Sequence, residues 1–153
     1  MGTASTMACI VAGLGMMPLR GASAPAVSSA RLRIAEETGK NAVAAALAKE
    51  RCRPQTVLTT ESFLNAITVL QAIGGSTNAI VHLMAIINRH PGVVGKITLE
   101  TFNEIGRKTP LLVDLKPSGD NYINDFHLAG GMVALLNHLR PLLYLTAPVI
   151  GSR

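Results

Sequence analysis

A chain of 153 residues with 48% hydrophobic but only 3% aromatic side chains and no Trp suits one structural unit with a core of Ala, Leu, Ile, Val and Met. Charged residues are 15% of the chain, below the roughly 25% of ordinary soluble domains, as expected of close-packed helices or of a piece buried in a larger assembly. The net charge of +5 does not mark a nucleic-acid binder, because Arg31, Arg33, Lys49, Arg51 and Arg53 crowd one helical region without interleaved aromatics, and no apolar run is long enough to span a membrane.

In chain order, Thr3 to about Met16 is small and apolar and reads as a buried helix with Thr3 or Ser5 near its N-cap. Pro18 to Pro25 is a turn-rich connector. Val27 to Thr38 reads as an amphipathic helix closed by Gly39, with Ser28 or Ser29 as its cap, and Asn41 to Arg51 as a second, alanine-rich one stopped by Pro54. Thr59 or Thr60 opens a helix running through Ile73 and ended by Gly74-Gly75. Ser76 then caps a helix to about Asn88, halted by His90-Pro91-Gly92.

Val93 to Ile97 is a candidate extended piece, and Thr98 caps a helix over Leu99 to Arg107. Pro110 to Leu115, an apolar run beginning at a proline and followed by Lys116-Pro117, is the best strand candidate. Tyr122 to Ala129 and Met132 to Leu139 are short helices, and Leu142 to Ile150 is extended. The expected fold is therefore mainly α with a few short strands, one unit over residues 1–153 with no internal repeat.

Chemistry-bearing residues gather at three polar corners where a helix begins or a turn is tight. The first holds Thr3, Ser5 and Thr6; the second holds Ser76, Thr77 and Asn78 after the Gly-Gly break; the third is the turn with Lys116 and Ser118. Free N–H groups at a helix start, together with the helix dipole, favour an anion such as a carboxylate. Each corner also has a plain structural reading: helix capping for the first two, a proline-glycine turn for the third. Four histidines share no metal spacing; His82 reads as a satisfied core residue, and Asp125 and His127, two apart, do not share a helix face. Cys9 and Cys52 form neither a disulfide framework nor a metal motif. A P-loop, a dinucleotide fingerprint and a nucleophile elbow are all missing from the chain.

Met1-Gly-Thr-Ala-Ser-Thr-Met-Ala-Cys9, Gly21 to Val27, Gly74 to Ala79, and Leu115 to Tyr122 followed by Asp125-Phe126-His127-Leu128-Ala129-Gly130-Gly131 occur in that order. Together they resemble the middle of the dihydroxy-acid and sugar-acid dehydratases, the IlvD/Edd family, over nearly the whole chain. The first motif is entered part-way, and family members are several times longer, so the chain resembles an internal piece of the α/β/α N-terminal domain.

The resemblance implies a parent hydro-lyase that converts a 2,3-dihydroxy acid into a 2-keto-3-deoxy acid with an iron–sulfur cluster and magnesium. It also implies substrate contacts at Ser76, Thr77, Asn78, Lys116 and Ser118, and places Thr3, Ser5 and Thr6 close to the cluster. Ser5 and the Gly119-Asp120-Asn121-Tyr122 run look more like the sugar-acid branch.

The family's cluster cysteines, magnesium ligands and serine base would lie outside these residues, so the segment alone is expected to hold no cofactor and to be inactive. Expected partners are a small sugar acid and the rest of the enzyme or an identical subunit, with no nucleic acid and no membrane. The expected location is intracellular, cytoplasmic or mitochondrial. The alternative is a non-catalytic helical interaction piece.

Overall fold

The computed structural model describes residues 1–150. Its helices are α1 (Thr3–Gly13), α2 (Ser29–Leu47), α3 (Pro54–Val57), α4 (Thr60–Ala72), α5 (Asn78–Ile87), α6 (Leu99–Lys108), α7 (Ile123–Leu128) and α8 (Gly131–Leu139). Short 3-10 turns at Leu19–Ala22, Lys49–Cys52 and Arg140–Leu142 link some of them.

Helix α4 is the axis of the fold because its sequence is apolar on more than one side. One side packs Phe63, Ala66, Ile67 and Leu70 against Ile10 of α1, Leu83 and Ile87 of α5 and Phe102 of α6. The other side presents Val69, Ala72 and Ile73 to Cys9, Phe126, Met132, Leu135 and Leu139. Burying one such aliphatic side chain is worth about 1.5–3 kcal/mol, so a helix with two covered faces anchors everything around it.

The starts and stops of α4 follow the expected chemistry. Thr59 Oγ1 accepts the Ser62 N–H at 3.2 Å, which satisfies one of the orphan donors of the first turn. At the other end, the Gly74 N–H reaches the Gln71 carbonyl and the Gly75 N–H reaches that of Leu70, at 3.2 and 3.1 Å. Gly74 has φ +57°, the left-handed geometry that this double closure requires and that glycine adopts without strain. A side chain at Gly75 would collide with Thr6 and Leu70 at 2.6 and 2.7 Å, so the break also lets α1 press against the turn.

Some expectations need correction. Gly39 does not end a helix: Ser29–Leu47 is continuous, because a mid-helix glycine costs only about 1 kcal/mol relative to Ala and no left-handed residue follows to close it. Residues 91–96 are turns, not an extended piece; the Val93 and Val94 N–H groups both return to the His90 carbonyl, and Gly95 has φ +78°. His82 is exposed on α5 rather than buried.

The short strands are also absent among the described residues. Pro110 to Leu115 does run without helix, but a strand is defined by a neighbour. Here the only pairings are the Leu112 N–H to the Ala72 carbonyl at 2.8 Å and an isolated parallel bridge between Leu115 and Asn121. Residues 143–150 lie across the body without a ladder. Asn65 takes the place of a neighbouring strand, its amide accepting from Tyr144 N–H at 2.8 Å and donating to the Tyr144 carbonyl at 3.0 Å. No helix among the described residues is long and apolar enough to cross a membrane.

Candidate functional site

Two of the three polar corners become one. Helix α1 starts after Gly2, and α5 starts within a residue or two of Ser76, so the two N-termini meet. Thr3 Oγ1 lies 3.0 Å from Ser76 Oγ and accepts from Asn78 Nδ2 at 3.2 Å. Ser76 Oγ also accepts the Asn78 N–H at 3.3 Å. Thr77 already has helical φ and ψ, so Ser76 acts as the cap in all but the formal boundary. Thr6, fully buried, accepts the Ser76 N–H through its hydroxyl at 3.2 Å.

The third corner adjoins through the main chain, the Met1 amino nitrogen donating to the Lys116 carbonyl. The Lys116 ammonium donates to the Tyr122 hydroxyl at 3.0 Å and lies 4.3 Å from the ring centroid. That contact orients the cation, although an exposed cation–π pair is worth only about 0.5–1 kcal/mol. The turn is braced by Asp114, whose carboxylate accepts the Asp120 N–H at 3.3 Å and Asn121 Nδ2 at 3.0 Å.

The expected site residues therefore divide. Thr3, Thr6, Ser76 and Asn78 are brought into one hydrogen-bonded web. Thr77, Asn78 and Lys116 are exposed and free to meet a ligand. Ser118 points back into its own turn, its hydroxyl 3.4 Å from the Leu115 carbonyl. Ser5 sits half-buried in the first turn of α1 and enters none of the hydrogen bonds of the corner. The web gives Thr6 and Ser76 a structural duty that explains them without a ligand; Asn78 and Lys116 keep polar atoms to spare.

Sequence reasoning missed the brace at Asp114, which lies six and seven residues from its partners and shows no local pattern. It also missed the pairing of Ser23 with His127, whose Oγ and Nδ1 are 3.0 Å apart across 104 residues. Asp125 could have been found: three residues after Tyr122, its carboxylate accepts the Tyr122 N–H at 2.7 Å, the position from which an acid caps a helix start. Asp125 and His127 indeed serve different partners.

A cleft of about 480 Å³ lies beside the third corner, lined by Asp114, Asn121, Asp125, Phe126 and His138 among others. Its carboxylates are already engaged by Asp120, Asn121 and Tyr122, and its charge suits an anionic substrate poorly.

The model of the dihydroxy-acid/6-phosphogluconate dehydratase N-terminal domain matches residues 1–151. The chain belongs to this family. It is 44% identical over 149 residues to the dihydroxy-acid dehydratase of Thermodesulfovibrio yellowstonii, covering 97% of this chain and 26% of that protein. The dihydroxy-acid dehydratase of Pyrococcus abyssi is 45% identical over 141 residues, 92% of this chain and 24% of that one. A putative dehydratase IlvD1 of Rhizobium meliloti is 40% identical over 150 residues, 98% and 25%. The chain thus spans about a quarter of the length of these dehydratases.

Among the described residues of this dehydratase segment, the side chains that could ligate a metal do not come together as an iron–sulfur cluster or magnesium would need. A cluster needs several thiolates. Cys9 is fully buried among apolar side chains, and burial pushes its thiol up to about 11, which keeps it protonated. Cys52 sits on a separate 3-10 turn. Among the described residues no three His, Cys, Asp or Glu side chains converge.

Proposed function

We propose that this chain is part of a hydro-lyase that removes water from a 2,3-dihydroxy acid, giving a 2-keto-3-deoxy acid after tautomerisation. The observation that carries the reading is the meeting of the α1 and α5 N-termini through Thr3, Ser76 and Asn78, on a segment of this family. There the uncapped first turn of α1 and the two positive dipole ends favour the substrate carboxylate. Lys116 supplies the matching full charge, and Thr77 and Asn78 offer donors to the substrate oxygens. Thr3, Ser5 and Thr6 lie on the cluster side of the corner in this reading, and Ser118 supports the turn.

The relatives named for a substrate class are dihydroxy-acid dehydratases, which favours a short dihydroxy acid. Ser5 and Gly119 to Tyr122 are the features favouring a sugar acid. Turnover of both classes by the longer protein separates them.

The segment is inactive alone in this reading, and its work is done inside the cell, cytoplasmic or mitochondrial, within the rest of the enzyme or against an identical subunit. The Pro110–Leu115 run, which joins no sheet among the described residues, supports a strand contributed to an α/β/α parent domain. The exposed face of α2, with Leu32 75%, Val43 63% and Leu47 77% exposed, is the feature that favours the second reading, a helical interaction piece without chemistry.

The deciding experiment is Asn78→Ala in the longer protein, with steady-state kinetics corrected for cluster content and a melt beside them. If Asn78 meets the substrate mainly in the transition state, kcat falls about tenfold or more, equal to roughly 1.4 kcal/mol. Unchanged kcat/KM in folded, cluster-loaded protein overturns the site and leaves a capping corner.

A further inference from the structure

Apart from Asp125, which caps the Tyr122 N–H, the Asp125 to Gly131 motif sends no side chain to the corner, yet it makes up most of the helix that follows Tyr122. The ammonium rests on Tyr122, the residue immediately before α7. Six residues long, α7 is too short to hold its orientation by its own hydrogen bonds, and Leu128 is 76% exposed. It therefore depends on its anchors. Phe126 is buried in the α4–α8 core with Ile123 packed against it, Asp125 caps the Tyr122 N–H, Asn121 just ahead is tied to Asp114, and His127 reaches away from the corner to Ser23.

The other half of that contact is rigid. Ser23 is 4% exposed and follows the 3-10 turn Leu19–Ala22, whose Gly21 and Ala22 are buried. Gly131 closes over it so tightly that an added Cβ would sit 2.7 Å from Ser23 Oγ. The Ser23–His127 hydrogen bond, held tightly at its Ser23 end, thus fixes the C-terminal end of this short helix about its Phe126 pivot. Tyr122, at the far end of that helix, moves with it.

We infer that His127 is a positioning residue that, through Ser23 and α7, holds Tyr122 where it presents the Lys116 ammonium to the substrate carboxylate. This rests on the reading above, in which Lys116 meets that carboxylate. His127 touches no substrate; it acts through Lys116.

The test is a set of single and double variants in the longer protein, each first checked by thermal melt. Lys116→Ala alone examines the underlying reading, and a KM left unchanged overturns that reading. With KM raised there, His127→Leu and Ser23→Ala are expected to raise KM about fivefold with kcat within about twofold, the pattern of lost uniform binding. His127→Asn, which keeps a polar atom near the Nδ1 position, restores KM to within about twofold of the parent.

The decisive arm is His127→Leu placed on Lys116→Ala. If His127 works through Lys116, the double variant has the KM of Lys116→Ala, because coupled sites are not additive. A further rise equal to that of His127→Leu alone overturns the positioning role while leaving Lys116 as a binding residue. So does a His127→Asn variant that behaves like His127→Leu. Should His127→Leu fail to fold, Ser23→Ala takes its place in the double variant.

Discussion

Helices α4 and α2 are the contrast that explains this chain. Nine of the thirteen residues of α4 are buried, against one of nineteen in α2, Ile34. Propensity does not explain the difference, since the alanine-rich α2 is the better helix former of the two; neighbours do. The polar corner is built on α1 and α5, which α4 holds together, and its hydroxyls keep fixed distances because their backbones rest on a packed core. Helix α2 is tied mainly at its N-terminal end, where the Arg31 guanidinium donates to the Gly21 carbonyl at 2.9 Å and to that of Ala24. A site that must hold an anion in one geometry belongs on the first kind of element; a face awaiting cover belongs on the second.

The contrast breaks most sharply at Phe63, fully buried between α1, α4 and α5. Phe63→Ala should cost about 3–5 kcal/mol by chemical denaturation. A loss below about 1 kcal/mol would mean that the core around α4 is far looser than its packing requires.

Next in size is a pH effect at Cys9. Its thiol is raised from 9.0 to about 11 by burial, so the folded state keeps a proton that the unfolded chain gives up. The contribution is fully present below pH 9 and is lost as pH rises through 11. Two units correspond to roughly 2–3 kcal/mol. Denaturation at a series of pH values should show this slope, and Cys9→Ala should flatten it.

Thr6→Val tests the link from core to corner. It keeps the shape but removes the acceptor of the Ser76 N–H, and leaving a partly buried donor unpaired costs about 1–3 kcal/mol. Amide exchange should show the Ser76 N–H losing protection. Equal protection in both proteins would remove Thr6 from the web.

The smallest expected effect sharpens the comparison from the other side. Val43 is 63% exposed, so Val43→Ser should change the stability of the chain by less than about 0.5 kcal/mol. The same substitution in the longer protein should cost about 1 kcal/mol or more if that face is covered there. Equal, negligible costs in both would mean that α2 faces water in the whole protein too.

What was legible in the residues was local. Thr59 before an apolar run, Gly74-Gly75 after it, and Thr98 ahead of Leu99 marked real helix ends, because capping is a contest among neighbouring backbone groups and needs no distant partner. Ser76 was legible for the same reason. The pairings of Thr3 with Ser76 and of Ser23 with His127 were not, since hydroxyls 73 and 104 residues from their partners carry no periodic mark.

The sequence alone thus determined the family and most of the helices, though neither the continuity of α2 nor the short α3, through short-range backbone chemistry and ordered motifs. Tertiary structure alone decided that α1 and α5 start at the same place and that Pro110 to Leu115 joins no sheet among the described residues. Each of those depends on which surfaces meet. A residue's own propensity is worth tenths of a kcal/mol up to about one, and burial against a neighbour is worth several times that.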